Sequence, residues 1–228
     1  MSAAVKPRTQ RVVAFDLDGT LADTSVDLAD ALNHALETLG RPRLPLDQIT
    51  LMVGHGTRAL MRKGLDATGG GDGALFEDAL RELINFYENN ICRHTKAYPG
   101  AQEALDELRA ANIRTAICTN KPEKLAKMLV TALGWEDKFD AIIGGDTLSV
   151  AKPDPAPLFE AIARCGGGRT VYVGDSITDA DTAKAADVPF IAVSFGFRDR
   201  PIDQLGADAV VDSFRDLPLT IRRIASNS

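Results

Sequence analysis

Short apolar runs and longer amphipathic stretches take turns along most of the chain. Residues 12–15 of "RVVAFD" form an unbroken apolar run, as expected of a strand covered on both faces. From residue 101 onward the alternation is regular. "AQEALDELRAAN" carries Ala101, Ala104, Leu105 and Leu108 at helical spacing with Asn112 as a stop, and "IRTAICT" follows as a strand rich in β-formers. Helix "EKLAKMLVTAL" then ends at Gly134 before strand "AIIGG", and helix "APLFEAIARC" ends at Gly166 before strand "TVYVGD". A short helix "DADTAKAAD" and strand "FIAVS" come next. Strands alternating with helices predict right-handed crossovers and an α/β fold, with a Rossmann-like, mostly parallel sheet covered on both faces.

Residues 22–95 break this rhythm. "SVDLADALNHALETLG", "GTRALMRKGLDA" and "ALFEDALRELINFYENNI" all read as helices with no convincing strand among them. In the last, Leu75, Phe76, Ala79, Leu80, Leu83, Ile84 and Tyr87 make an apolar face. The expected division is a core from residues 1–21 and 97–228 and an all-helical cap domain from 22–96. Its hinges fall near Ala22 to Ser25 and near Ala97 to Gly100, where "AYPG" supplies turn chemistry. The glycine-rich "TGGGDG" and "CGGGR" lack the Gly-Lys-Ser/Thr ending of a nucleotide loop and read as turns.

Composition narrows the class. With 228 residues, 45% hydrophobic and 25% charged, the chain can bury a sizeable core, and no apolar run approaches a membrane span. The net charge is −6 and the 26 basic residues are scattered, which argues against nucleic acid as a partner. Cys92, Cys118 and Cys165 are odd in number and show no metal or redox spacing, so three reduced thiols in a cytoplasmic protein are expected. The opening "MSAAVKPRTQR" has no apolar stretch of a secretory signal and reads as a polar lead-in.

The first strand runs straight into Asp16 and Asp18, at the carboxyl edge of the sheet where open α/β folds bind ligands. Two residues apart, the two side chains leave on the same side, and the carboxylates repel unless a cation or a proton compensates. A solvated turn with a helix cap fits Asp-Gly-Thr equally well. "VYVGDSITD" repeats the grammar with Asp175 and Asp179; these two also suit the cap of the following helix. Should the two strands be neighbours, the converging carboxylates form a hard oxygen set suited to Mg²⁺. "AICTNK" ends a strand with Thr119 and Asn120, whose hydroxyl, amide and backbone N–H groups at a helix start make a phosphate cradle. "AKPDP" stiffens Lys152 beside two prolines, from where its ammonium neutralises phosphate or carboxylate oxygens.

In this order, "DLDGT", "CTN", "AKPDP" and "GDSITD" resemble the four motifs of the haloacid dehalogenase superfamily of phosphohydrolases, over the whole chain. The resemblance implies a Rossmann-like core with a helical cap inserted after the first motif, Mg²⁺ as cofactor and a small-molecule phosphate ester as substrate, with no nucleic acid or membrane partner. It implies that Asp16 is the nucleophile and that Asp18 is the general acid and base, with neighbours that favour its neutral form. Asp16, the Asp18 carbonyl and Asp175 would face the metal, with Asp179 in support. Thr119, Asn120 and Lys152 would hold the phosphoryl group, while Gly19 turns the backbone and Thr20 holds the loop. Monomer and homodimer fit equally.

The cap governs the leaving group. Gly54, His55, Gly56 and Thr57 precede an amphipathic helix whose amides and dipole suit a small anion. That segment, "AYPG" and "SFGFRDR" look like the phosphoglycolate phosphatase group, which implies 2-phosphoglycolate as substrate with His55 and Arg58 near its carboxylate. A broad sugar-phosphate or nucleotide phosphatase, or a phosphomutase, would use the same core. A phospho-accepting receiver domain shares the acids and the sheet but gives no reason for an inserted cap.

Overall fold

The computed structural model describes residues 11–197 and 200–227. Six strands, β1 (Arg11–Phe15), β4 (Arg114–Cys118), β5 (Ala141–Ile143), β6 (Arg169–Gly174), β7 (Phe190–Val193) and β8 (Ala209–Val211), form one sheet in the order β5-β4-β1-β6-β7-β8. Every pairing in it is parallel. The apolar run of β1 is explained by its place at the centre, with β4 and β6 on its two edges.

Both faces are covered, and the two-residue period of β1 divides its side chains between them. Val13 and Phe15 pack with Leu105 and Leu108 of α5 (Ala101–Ala110), Leu129 of α6 (Glu123–Ala132), and Leu217 and Ile221 of α9 (Leu217–Asn227). Val12 and Ala14 pack with Leu158 and Ala161 of α7 (Ala156–Arg164) and Ala180 and Ala183 of α8 (Ile177–Ala185). The result is the expected Rossmann-like α/β sandwich.

Between β1 and β4 lies a helical insertion made of α1 (Ser25–Thr38), α2 (Leu46–Thr50), α3 (Gly56–Asp66) and α4 (Gly73–Asn89). Leu32, Leu36, Met61, Leu65, Phe76, Leu83 and Tyr87 form its own core, which meets the sheet layer through Leu125 of α6. The apolar face of α4 is as the spacing indicates except at its first position. Leu75 is exposed, while Phe76 beside it in the first turn of α4 is buried.

The insertion is not free of strand. β2 (Ala22–Asp23) pairs antiparallel with β3 (Lys96–Ala97), so entry and exit run side by side as a ribbon. Two residues are too few to show a two-residue period, which is why the pattern misses it. The buried Asp27 carboxylate reinforces the ribbon by accepting the N–H groups of His94 and Thr95 at 2.8–3.0 Å and the Thr95 hydroxyl at 2.7 Å. No helix among the described residues is long and apolar enough to cross a membrane. The lead-in at residues 1–10, and Arg198 and Asp199 of "SFGFRDR", lie outside the described residues.

Candidate active site

Three strand ends build the site. Asp16 follows β1, Thr119 follows β4 and Asp175 follows β6, and these strands are neighbours, so residues remote in sequence meet at the carboxyl edge where the strand order reverses. The Asp16 N–H bonds Val173 O at 2.9 Å and the Thr119 N–H bonds Ile143 O at 3.0 Å, anchoring both to the sheet. The second bond is a correction. With its N–H engaged in the sheet, Thr119 has only its hydroxyl left to offer, and α6 begins not at Thr119 but at Glu123.

Asp16, Asp175 and Asp179 are buried and offer carboxylate oxygens that all lie within 4.8 Å of one another. Burial pushes Asp16 up to about 6 against the pull of Lys152, with the charges of Asp179 and Asp18 adding to the rise. Burial, then the charges of Asp179 and Asp16, drives Asp175 well above the usual carboxylate range. Burial also opposes ionisation of Asp179, but the Lys152 ammonium and hydrogen bonds from Lys152, Ser176 and Tyr172 hold it below its ordinary value. Crowded carboxylates in a dry site require positive charge. Lys152 Nζ supplies some, at 2.6 Å from Asp179 Oδ1 and 3.0 Å from Asp16 Oδ1. The contact to Asp16 is at ion-pair distance without hydrogen-bond alignment, so that oxygen keeps an unpartnered lone pair. Among the described residues, the Asp175 side chain accepts from the Thr20 hydroxyl at 2.9 Å and the Phe197 N–H at 2.7 Å. A hard oxygen set still short of positive charge fits a divalent cation.

Asp179 caps α8 and serves the site together. Its Oδ2 accepts from the Ser176 hydroxyl and from the N–H groups of Asp175 and Ser176, while Oδ1 accepts from Lys152 and from the Tyr172 hydroxyl at 2.9 Å. It therefore fixes both the Asp175 backbone and the Lys152 ammonium.

The turn after β1 is tight. Leu17 O accepts from the N–H groups of Thr20, Leu21 and Ala22, and Gly19 takes φ +83°. A Cβ on Gly19 would lie 2.4 Å from Asp175 Oδ2, so the glycine is needed for both conformation and close approach. The turn sends the Asp18 carboxylate away from the acidic cluster. Its oxygens meet Lys121 Nζ at 2.9 and 3.1 Å, so a positive group stands beside it as well as the like charge of Asp16. Lys121 also donates to the Tyr87 hydroxyl of α4 at 2.8 Å, and its side chain is 1% exposed. Although buried, this ammonium is held above its ordinary pKa by Asp18 and Tyr87. Sequence reasoning missed Lys121, Tyr87 and Tyr172; the first stands directly after Thr119 and Asn120 in "CTNK" and could have been suspected from that position.

The insertion closes one wall. Asp16, Asp18, Thr119 and Lys121 share a pocket with Gly54, Gly56 and Thr57 at the start of α3 and with apolar Leu28, Val53 and Leu60. Asn120 Nδ2 reaches both Gly54 O and Lys152 O at 3.2 Å, and a Cβ on Gly56 would stand 2.7 Å from Asn120 O. Glycine is thus what lets this loop touch the strand ends. His55 is exposed, with Nδ1 3.2 Å from the Thr178 hydroxyl, and lines an adjoining cleft with Asp18, Asp175 and Phe197. Arg58 is not brought to the pocket: one turn into α3 it points outward, pairs with Glu77 and covers the Phe76 ring.

Residues 13–193 match the family of haloacid dehalogenase-like hydrolases. The chain is 42% identical to the phosphoglycolate phosphatase of Caulobacter vibrioides over 90% of this chain and 88% of that protein. It is 39% identical to the phosphoglycolate phosphatase of Mesorhizobium japonicum, over 92% and 94% of the two chains. Among solved structures, a predicted phosphoglycolate phosphatase from Haemophilus somnus 129PT superposes with a TM-score of 0.89 at 28% identity, covering 95% of this chain and all of that one.

Proposed function

The chain belongs to the haloacid dehalogenase-like hydrolases, and from that premise we propose that it hydrolyses 2-phosphoglycolate to glycolate and phosphate. It is a phosphoric monoester hydrolase. The observation that carries the reading is the convergence of Asp16, Asp175 and Lys152 at neighbouring strand ends, where Asp16 also lines a pocket walled by Gly54 and Gly56 of the insertion.

In this reading an Asp16 oxygen attacks phosphorus and the ester P–O bond breaks, leaving the phosphoryl group on Asp16. Asp18 gives its proton to the departing alkoxide, forming glycolate. It then takes a proton from water, whose oxygen attacks the aspartyl-phosphate, releases phosphate and restores Asp16. Lys152, Asn120 and the Thr119 hydroxyl hold the phosphoryl oxygens, a role of positioning and charge compensation. Asp16, Asp175 and the Asp18 carbonyl would hold Mg²⁺, with Asp179 orienting its neighbours and Thr20 steadying Asp175. The ion, when bound, neutralises charge on the phosphoryl oxygens. Residues 22–96 act as a cap over this core, and the Gly54–Thr57 amides at the start of α3 face the leaving group. Cys92, Cys118 and Cys165 form no disulfide among the described residues, which suits a cytoplasmic enzyme.

The test is phosphate release from a panel of phosphate monoesters, with and without a chelator. The expected result is a kcat/KM for 2-phosphoglycolate well above that for sugar phosphates and nucleotides, lost with chelator and restored by Mg²⁺. Equal rates across the panel would instead favour a broad-specificity phosphatase.

A further inference from the structure

We propose that Lys121 recognises the carboxylate of the substrate and so sets the specificity of the enzyme; this rests on the 2-phosphoglycolate reading above. In that molecule one methylene separates the ester oxygen from the carboxylate carbon. The carboxylate must therefore lie beside whichever group protonates the ester oxygen. That group is Asp18, and Lys121 Nζ is in hydrogen-bond contact with both of its carboxylate oxygens.

Lys121 is also the sole cation among the described residues lining the pocket shared with Asp16, Asp18 and Thr119. The other buried ammonium, Lys152, does not line this pocket; it lies against Asp16, Asp179 and the Tyr172 hydroxyl. The remaining wall is apolar Leu28, Val53 and Leu60 with the start of α3, which contributes backbone dipoles but no full charge. A substrate with a second negative group thus meets one countercharge at that end of the pocket. The Tyr87 hydroxyl holds Nζ from the side of the insertion, so the ammonium is already oriented when the carboxylate arrives. Charge-assisted hydrogen bonds formed away from water are among the strongest polar contacts available to a site. A site built around one rejects an analogue lacking the group.

The test compares kcat/KM for 2-phosphoglycolate with that for 2-hydroxyethyl phosphate, which carries a hydroxymethyl group in place of the carboxylate. In wild type the ratio should strongly favour 2-phosphoglycolate; no preference would sink the substrate reading itself, and this proposal with it. In Lys121→Met the ratio should fall by at least about tenfold, the size of a lost charged hydrogen bond. An unchanged ratio, with both substrates slowed by one factor, would overturn the proposal and leave Lys121 as a group that only orients Asp18. Tyr87→Phe keeps the ammonium and should keep the ratio within about threefold; a collapse matching that of Lys121→Met would overturn it in favour of packing between α4 and the strand ends. If thermal melting shows Lys121→Met unfolded, Lys121→Gln, which retains N–H donors and lacks the charge, takes its place: a ratio lowered about tenfold supports the proposal, and a wild-type ratio overturns it.

Discussion

Replacing Gly19 by alanine should damage catalysis far more than stability. Its φ of +83° makes a side chain costly by about 1–2 kcal/mol from backbone strain alone. In a domain of this size that lowers Tm by roughly 2–8 °C. The added methyl has a second effect. It would sit 2.4 Å from Asp175 Oδ2 and 2.8 Å from Phe197 Cδ2, against an ordinary contact of about 3.4 Å or more, so the Asp175 carboxylate must retreat by about 1 Å. A displacement of that order at a positioned group costs about a hundredfold in rate. Gly40 is the control, because its φ is +68° with nothing within 4 Å of the added carbon. Gly40→Ala should show the strain and none of the catalytic loss. Both variants are assayed by thermal melting and by kcat at saturating substrate while Mg²⁺ is titrated. Gly19→Ala should need more Mg²⁺ for half-maximal rate. Wild-type kcat and an unchanged Mg²⁺ requirement in a folded Gly19→Ala protein would refute the close packing of this turn against Asp175.

Asp16→Asn should abolish phosphate release, to below about a thousandth of wild type, with a native circular dichroism spectrum; measurable multiple turnover would remove Asp16 from the nucleophile role. Leu32→Ala, in the core of the helical insertion, should cost about 2–5 kcal/mol in urea unfolding, and a loss under about 1 kcal/mol would mean that this core is not well packed. Burial pushes the Cys118 thiol up to about 12 and Cys165 up to about 11. At pH 8 both should resist alkylation in native protein, leaving the partly exposed Cys92 to react first; mass spectrometry that found all three modified at one rate would contradict this.

Much of the architecture is legible because strands buried on both faces announce themselves: Val12 to Phe15, and the strands following Asn112 and Gly168, have little polar interruption. The acidic residues are legible for a related reason, since Asp16 and Asp175 each terminate such a strand. What joins them is not. Nothing in the local pattern pairs Lys121 with Asp18 and Tyr87, because that contact depends on where an inserted helix comes to rest. Tyr172 reads as one more strand residue, yet its hydroxyl accepts from Lys152 and stands within hydrogen-bond reach of both Asp179 Oδ1 and Cys118 O. Arg58 shows the opposite failure. Its place beside the Gly54–Gly56 turn suggests a substrate contact, but helical geometry carries it round to Glu77. The ribbon of β2 and β3 is too short for any periodicity to betray.

The central position of β1 also governs how the molecule assembles. Val12 must wait for Arg114 on one side and Thr170 on the other before its backbone is paired. During synthesis the most apolar segment of the early chain therefore emerges long before its neighbours. The helices of the insertion, whose contacts are closer in sequence, can organise first, and the sheet must close around them. Such long-range parallel pairing makes for slow folding and a prolonged exposure of sticky backbone. The catalytic constellation needs β6 in place, and a nascent chain halted before β6 would hold Asp16 without a site to work in.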